Sequence, residues 1–103
     1  MKRLLTCFAL ASFLHPAFAQ HDAFPFGDPK AGAKLFEAKC TGCHLRAFGD
    51  VAKAFQRENR KVKDAPSALA WVQRCNSANR IGLDREGEES IAAYLNEAFY
   101  KFK

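Results

Sequence analysis

Apolar residues recur at helical spacing in several parts of the chain, and no stretch alternates convincingly between apolar and polar residues. The clearest pattern lies near the C-terminus, where the following residues recur at spacings of three and four: Ile91, Tyr94, Leu95, Ala98, Phe99 and Phe102. This spacing predicts a long amphipathic closing helix. Asp84 is its predicted N-cap, and the glutamates that follow favour the positive end of the helix dipole. The pattern as a whole predicts an all-α fold.

A first helix is predicted to begin at Asp28, which can cap it, with Pro29 at the first helical position. Good helix formers continue to about Cys43. Gly32 lies near the apolar stripe of this helix, where the lack of a side chain would let another helix cross closely; alternatively, it only weakens the helix. Residues 45–50 are expected to be irregular, with a turn at Gly49.

Two shorter helices are predicted in the middle of the chain. Val51, Ala52 and Phe55 suggest one of them. Pro66 is expected to open the other, which runs from residue 67 to about residue 74. A polar loop is predicted for residues 76–80, before the closing helix.

The N-terminus has the features of a secretory signal peptide. Lys2 and Arg3 precede an apolar stretch from residue 4 to residue 14, and residues 17–19 form an Ala-x-Ala cleavage site. We therefore expect a signal peptide at 1–19, a tether at 20–27 and one domain at 28–103. The alternative is an uncleaved anchor helix. Cleavage predicts export to the periplasm of a Gram-negative bacterium, without a membrane span in the mature chain.

The sequence Cys40-Thr41-Gly42-Cys43-His44 is a Cys-x-x-Cys-His motif, which is typical of c-type haem attachment. Two thiols at this spacing can add to the two vinyl groups of one porphyrin, and the adjoining imidazole can bind the iron from below the ring. The motif thus predicts one covalent haem c, linked through Cys40 and Cys43, with His44 as the proximal axial ligand. Half of a zinc site and a dithiol redox centre are the alternatives.

Charge changes this interpretation little. The formal charge of +5 falls to +3 when Lys2 and Arg3 leave with the signal peptide, and two haem propionates would bring it close to neutral. Net charge therefore gives little reason to expect a polyanionic partner, and we predict no binding to nucleic acid. Residues 57–63 are mostly basic and form either a solvated helix end or a docking patch for an acidic redox partner.

The residues 28–32, Leu35-Phe36, the Cys-x-x-Cys-His motif and Ala92-Ala93-Tyr94-Leu95 together resemble a class I cytochrome c. The resemblance covers nearly all of the mature chain. It implies the cytochrome c fold, with three to four helices around one haem and the N- and C-terminal helices crossing near it. In this chain the crossing would bring Gly32 and Phe36 against Tyr94 and Leu95.

The chain departs from that family at the distal side of the haem. The family's usual distal ligand is a methionine before the last helix, but the single methionine here is Met1. Cys75 is the best candidate, since it lies in the corresponding region and is the cysteine left over after haem attachment. A thiol without a role is a liability in an oxidising compartment. Arg74 and Arg80 are expected to lower its pKa. The alternatives are an inert buried cysteine and an intermolecular disulfide.

Residues 71–77 are also similar to the sphaeroides haem protein group, whose members carry an asparagine ligand just before a disulfide-bonded cysteine. Here Arg74 would occupy the ligand position, and arginine does not bind iron. The chain therefore looks more like the His/Cys-ligated cytochromes c of the NaxLS type. That resemblance implies a heterodimer with a similar cytochrome as one partner arrangement. Asn76 and His21 remain weaker distal candidates.

These observations predict a periplasmic one-electron carrier that exchanges electrons with redox partner proteins. An anionic thiolate favours ferric iron, so ligation by Cys75 predicts a low reduction potential. The alternative function is a haem-based CO, NO or redox sensor with a labile distal ligand. No arrangement of His, Asp or Glu beside the motif supports substrate chemistry, so we do not expect an enzyme.

Overall fold

The computed structural model describes residues 23–56 and 61–103. Within these ranges the chain is helical and contains no strand, which confirms the all-α class. The predicted signal peptide at 1–19, the candidate ligand His21 and residues 57–60 of the basic stretch lie outside the described ranges. Among the helices that are described, none combines the length and the apolar character that crossing a membrane requires.

Five α-helices follow one another in the described part of the chain from residue 29 onward, and the last continues into a single π-helical turn. The α-helices are α1 (Pro29–Lys39), α2 (Thr41–Phe48), α3 (Lys53–Gln56), α4 (Ala65–Asn79) and α5 (Arg85–Leu95), and the π-turn is Asn96–Tyr100. The number of helices in the described residues is therefore higher than the three to four that the resemblance implies. The first predicted helix is divided at Cys40, whose φ of −119° lies outside the helical range.

The N-caps of α1 and α5 are those that the sequence predicts. The side chain of Asp28 accepts a hydrogen bond from the Lys30 N–H at 3.0 Å, and Pro29 follows at the start of α1. The side chain of Asp84 accepts one from the Gly87 N–H at 2.8 Å. Each cap satisfies an amide group that the first turn of a helix leaves unpaired.

Helices α1 and α5 cross in close contact. A side chain on Gly32 would overlap the backbone of Ser90, so the backbones approach more closely than any other residue would allow. One turn further on, the rings of Phe36 and Tyr94 lie 5.6 Å apart between centroids. The predicted crossing is therefore present, with Phe36 against Tyr94 as expected. Gly32, however, lies against Ser90 and not against Tyr94 or Leu95, because the closest approach of the two helices falls about one turn earlier on α5.

Residues 23–27 of the predicted tether pack against the helical domain. Phe24 is 1 % exposed and belongs to the core. The Phe26 N–H donates to the buried carboxylate of Glu89 at 2.9 Å, and the Asp28 N–H donates to Ser90 Oγ at 3.0 Å. This segment is thus joined to α5 by both apolar burial and hydrogen bonds.

Residues 45–48 are helical, so the prediction of an irregular segment is wrong for them. Leu45, Arg46 and Ala47 are good helix formers, and they extend α2 to Phe48. The predicted turn at Gly49 is confirmed, because its φ of 76° ends the helix in the left-handed region that favours glycine.

Helix α4 is longer at both ends than predicted. Asp64 and Ser67 form a capping box that starts it at Ala65. The expected loop at 76–80 is wrong for residues 76–79, which complete the helix; Arg80 caps it with a φ of 52°. Cys75 therefore lies within a helix rather than at its end.

Candidate functional site

A cavity of about 330 Å³ opens between the helices, within the range of about 300–1,000 Å³ that is usual for small-molecule and cofactor sites. Most of its lining is apolar. The aromatic lining residues are Phe36, Phe48, Phe55, Trp71 and Tyr100, and the aliphatic ones are Ala54, Val62, Ala68, Val72, Ile81, Leu83, Ile91 and Leu95. Four residues with reactive or charged groups complete it: Cys40, His44, Lys61 and Cys75.

Two residues of the Cys-x-x-Cys-His motif line this cavity. Cys40 lies at the junction of α1 and α2, and His44 lies one turn into α2. Cys43 is exposed and is not part of the lining; its sulfur accepts a hydrogen bond from Arg46 Nη2 at 3.3 Å. The motif is thus helical from Thr41 onward, with one thiol inside the cavity and the other at the surface.

The imidazole of His44 is surrounded by phenyl rings. Phe55 lies nearly parallel to it, with centroids 4.9 Å apart and planes at 25°. Phe36 and Phe48 lie at 5.6 Å and 5.5 Å in tilted orientations. These contacts hold the ring in one place at the edge of the cavity.

The Nδ1 atom of His44 is buried and has no hydrogen-bond partner, alone among the buried side-chain nitrogen and oxygen atoms of the described residues. Burial lowers the pKa of His44, and a hydrogen-bond interaction with the Val51 backbone opposes this shift in part. The lowered pKa favours the neutral form of the ring, which is the form that binds metals.

The thiol of Cys75 reaches the same cavity from α4. The pKa of Cys75 is raised overall, and burial is the largest cause. The charge of Arg74 opposes this shift, and the neighbouring Cys43 adds to it. Burial, followed by Cys75 and Cys43, likewise raises the pKa of Cys40 to about 11. The expectation that Arg74 lowers the pKa of the Cys75 thiol is thus confirmed, but burial outweighs the Arg74 charge, and Arg80 is not among the causes of the shift.

Asn76 has a different role from the distal ligand that the sequence left open. It is buried, and its side chain joins α4 to the start of α5. The amide nitrogen donates to the Leu83 carbonyl at 2.9 Å and to Glu88 Oε2 at 2.7 Å, while the amide oxygen accepts from the Leu83 N–H at 3.0 Å. Asn76 does not line the cavity, so Cys75 is the better placed of the two.

Several cavity residues have no individual signal in the sequence. Phe55 predicts only a short helix, and Tyr100 is not part of the predicted apolar stripe, yet each ring centroid lies within 6 Å of that of another cavity ring. Trp71 lines the cavity, with the Arg74 guanidinium 4.8 Å from its ring centroid. Apolar periodicity predicts that such residues are buried, but it does not show which of them surround a site.

The donor set suits haem better than an isolated metal ion. No three His, Cys, Asp or Glu side chains among the described residues are grouped closely enough to hold a metal ion, so the zinc alternative gains no support. A haem iron receives four of its ligands from the porphyrin and needs only one or two from the protein. An apolar cavity with a neutral, incompletely bonded imidazole and two thiols fits that requirement.

The chain was compared with protein-family models, with curated proteins and with solved structures, and none of them matched. The resemblance to class I cytochromes c therefore remains a prediction from the motifs. The all-α class, the crossing of α1 and α5 and the cavity beside the motif are observations of the structure itself.

Proposed function

We propose that the chain is a periplasmic monohaem c-type cytochrome that carries single electrons between redox partner proteins. The observation that carries this proposal is the apolar cavity in which Cys40 and His44 of the motif meet Cys75 of α4. One attachment cysteine, the proximal ligand and the candidate distal ligand thus share one cavity, whereas Cys43 lies at the surface beside it. The crossing of α1 and α5 beside it agrees with the cytochrome c fold that the resemblance implies.

Each site residue has a stated role in this proposal. Cys40 and Cys43 form the two thioether links, and His44 binds the iron on the proximal side. The bound haem c supplies a one-electron ferric/ferrous couple. The apolar lining keeps water from the site and so limits the rearrangement that accompanies a change in charge.

Cys75 is the proposed distal ligand. Burial raises its pKa despite the opposing charge of Arg74, which favours the neutral thiol. Metal ligation requires the thiolate, and the metal charge favours deprotonation of a thiol that binds it. Because a thiolate stabilises ferric iron more than a neutral thioether does, we expect a lower reduction potential than methionine ligation would give.

The test compares the ferric spectrum and midpoint potential of the holoprotein with those of Cys75→Ala and Cys75→Met. The alanine variant should lose the low-spin thiolate signal, and the methionine variant should have a higher potential. Asn79→Ala is the matched control, since Asn79 lies one turn away on α4 and its side chain donates to the Cys75 carbonyl. An unchanged spectrum and potential in Cys75→Ala would exclude ligation by Cys75.

The same preparation separates the carrier from the sensor. Cys75 is exposed as well as adjacent to the cavity, so a distal ligand at this position can be replaced by a small molecule from solution. Tight CO or NO binding to the reduced protein at low concentration favours the sensor. Rapid electron exchange without loss of the distal ligand favours the carrier.

A further inference from the structure

Three aromatic rings run in nearly parallel orientation from His44 to the C-terminal segment. The planes of His44 and Phe55 meet at 25°, with centroids 4.9 Å apart. The planes of Phe55 and Phe99 meet at 22°, with centroids 5.0 Å apart. Phe55 is 5 % exposed, so the ring that contacts the imidazole is buried.

The π-turn at the end of α5 is the element that carries Phe99. The Lys101 N–H donates to the Asn96 carbonyl at 2.7 Å, which is a five-residue step instead of the four-residue step of an α-helix. The buried side chain of Asn96 fixes the turn, because its oxygen accepts from the Phe102 N–H at 2.8 Å.

The turn brings two successive aromatic residues to the same ring. Phe99 lies parallel to Phe55, and Tyr100 meets Phe55 edge-on at 5.8 Å. Successive residues of an α-helix point about 100° apart, since the helix has 3.6 residues per turn. The π-turn is wider than an α-helical turn, so it changes the angle between successive side chains at the point where Phe99 and Tyr100 pack around Phe55.

The His44 imidazole needs a neighbouring group that fixes its rotation. A histidine that binds a metal through one nitrogen usually donates its other N–H to an oxygen, which fixes the rotation of the ring. Nδ1 of His44 has no partner within hydrogen-bond geometry, although the Val51 backbone interacts with the residue. Packing therefore contributes to fixing the ring, and among the three phenyl rings described around the imidazole Phe55 is the one that lies nearly parallel to it.

We propose that Phe55, supported by Phe99 from the π-turn, is a positioning residue that fixes the rotation of the His44 imidazole on the iron and excludes water from that side. This inference rests on the proposed haem site and adds a determinant of its potential. Loss of the ring would let the imidazole adopt several rotations. It would also admit water, which stabilises the more highly charged ferric state and lowers the potential.

The test uses EPR spectra and midpoint potentials of the holoprotein and of Phe55→Leu, Phe99→Leu and Phe55→Tyr. Phe55→Leu should broaden the ferric low-spin signal and lower the potential. Phe99→Leu should do the same to a smaller extent, and Phe55→Tyr, which keeps the ring, should restore the original signal. Phe48→Leu is the comparison variant, because Phe48 contacts the same imidazole at 5.5 Å but at a plane angle of 43°, and it should change the signal and the potential less than Phe55→Leu does.

The outcomes separate this inference from the proposed function. A chain that takes up no haem overturns both. If haem is bound but Phe55→Leu and Phe99→Leu keep the original signal and potential, only the positioning role is overturned. An equal change in Phe48→Leu also overturns it, because any loss of apolar volume near His44 would then suffice. If Phe55→Leu fails to fold, Phe99→Leu alone is the test, and an unchanged signal and potential in that variant overturns the positioning role.

Discussion

A side chain on Gly32 would overlap the backbone carbonyl of Ser90, and this relationship sets the distance between α1 and α5. The crossing positions the elements around the cavity, because Phe36 lies one turn along α1 and Ile91 follows Ser90 on α5, and both line the cavity. The Asp28 N–H, which donates to Ser90 Oγ, adds a polar contact beside the crossing. The arrangement leads to the first prediction.

Gly32→Ala should destabilise the protein by about 3 kcal/mol or more, at or above the upper end of the usual range for overpacking. The overlapping atoms belong to the backbone of α5, so they cannot be relieved by a change of rotamer. Gly42→Ala is the control, since only the flexible Arg46 side chain lies near that position. Denaturant unfolding measures both variants, and equal stability of Gly32→Ala and the parent chain would contradict the observed crossing.

Glu89→Ala should destabilise the protein by about 1–3 kcal/mol, because it leaves the Phe26 N–H without its acceptor. The Glu89 carboxylate is 2 % exposed and also accepts from Arg85 Nε at 2.9 Å. Glu86→Ala, at an exposed position of the same helix, should change stability little. Thermal unfolding compares the two, and similar small effects would show that residues 23–27 are not held to α5 in this way.

Asn76→Ala should lower stability by about 1–3 kcal/mol and leave the absorption spectrum of the holoprotein unchanged. The stability change follows from the loss of three hydrogen bonds to Leu83 and Glu88. The unchanged spectrum follows from the absence of Asn76 from the cavity lining. Asn79→Ala serves as the exposed control on the same helix. A spectral change that appears only in Asn76→Ala would make Asn76 the distal ligand instead of Cys75.

The capping box of α4 should give a pH-dependent contribution to stability. Hydrogen bonds from the Ser67 backbone and hydroxyl lower the pKa of Asp64 below its ordinary value. The contribution is therefore complete above the unfolded-state pKa of about 3.9 and is lost as the pH falls through the lower pKa of the folded state.

The difference in melting temperature between the parent chain and Asp64→Ala tests this contribution. It should be constant near neutral pH and shrink as the pH falls below about 4. Asp64→Asn, which keeps an acceptor oxygen without a titratable group, should show little change at neutral pH. A difference that does not vary with pH would show that the charge of Asp64 plays no part.

Local signals predicted the parts of the fold that depend on neighbouring residues. The caps at Asp28 and Asp84 and the turn at Gly49 are confirmed, since each rests on one residue type at one position of a helix. The end of α4 was predicted too early because asparagines usually interrupt helices. Asn76 instead turns inward to Leu83 and Glu88, a tertiary contact that no local pattern contains.

Some residues of the candidate cavity were predictable from the sequence, but their surroundings were not, and the haem chemistry stays a prediction. The motif spacing and the unpaired Cys75 identified residues that the structure places at one cavity. The exposure of Cys43 and the net increase in the pKa of Cys75 depend on how the helices pack. The stack of Phe55 and Phe99 depends on a π-turn, for which residues 96–100 give no distinct sequence signal.

Covalent attachment of haem, on which the proposed function depends, is tested most directly by the intact mass of the mature chain exported by a bacterium with a working cytochrome-maturation system. The mass should show that one haem is added covalently to each chain. The added mass should disappear when Cys40 and Cys43 are replaced by serine and should remain when Cys75 is replaced. A colourless chain with no added mass would contradict the proposed attachment.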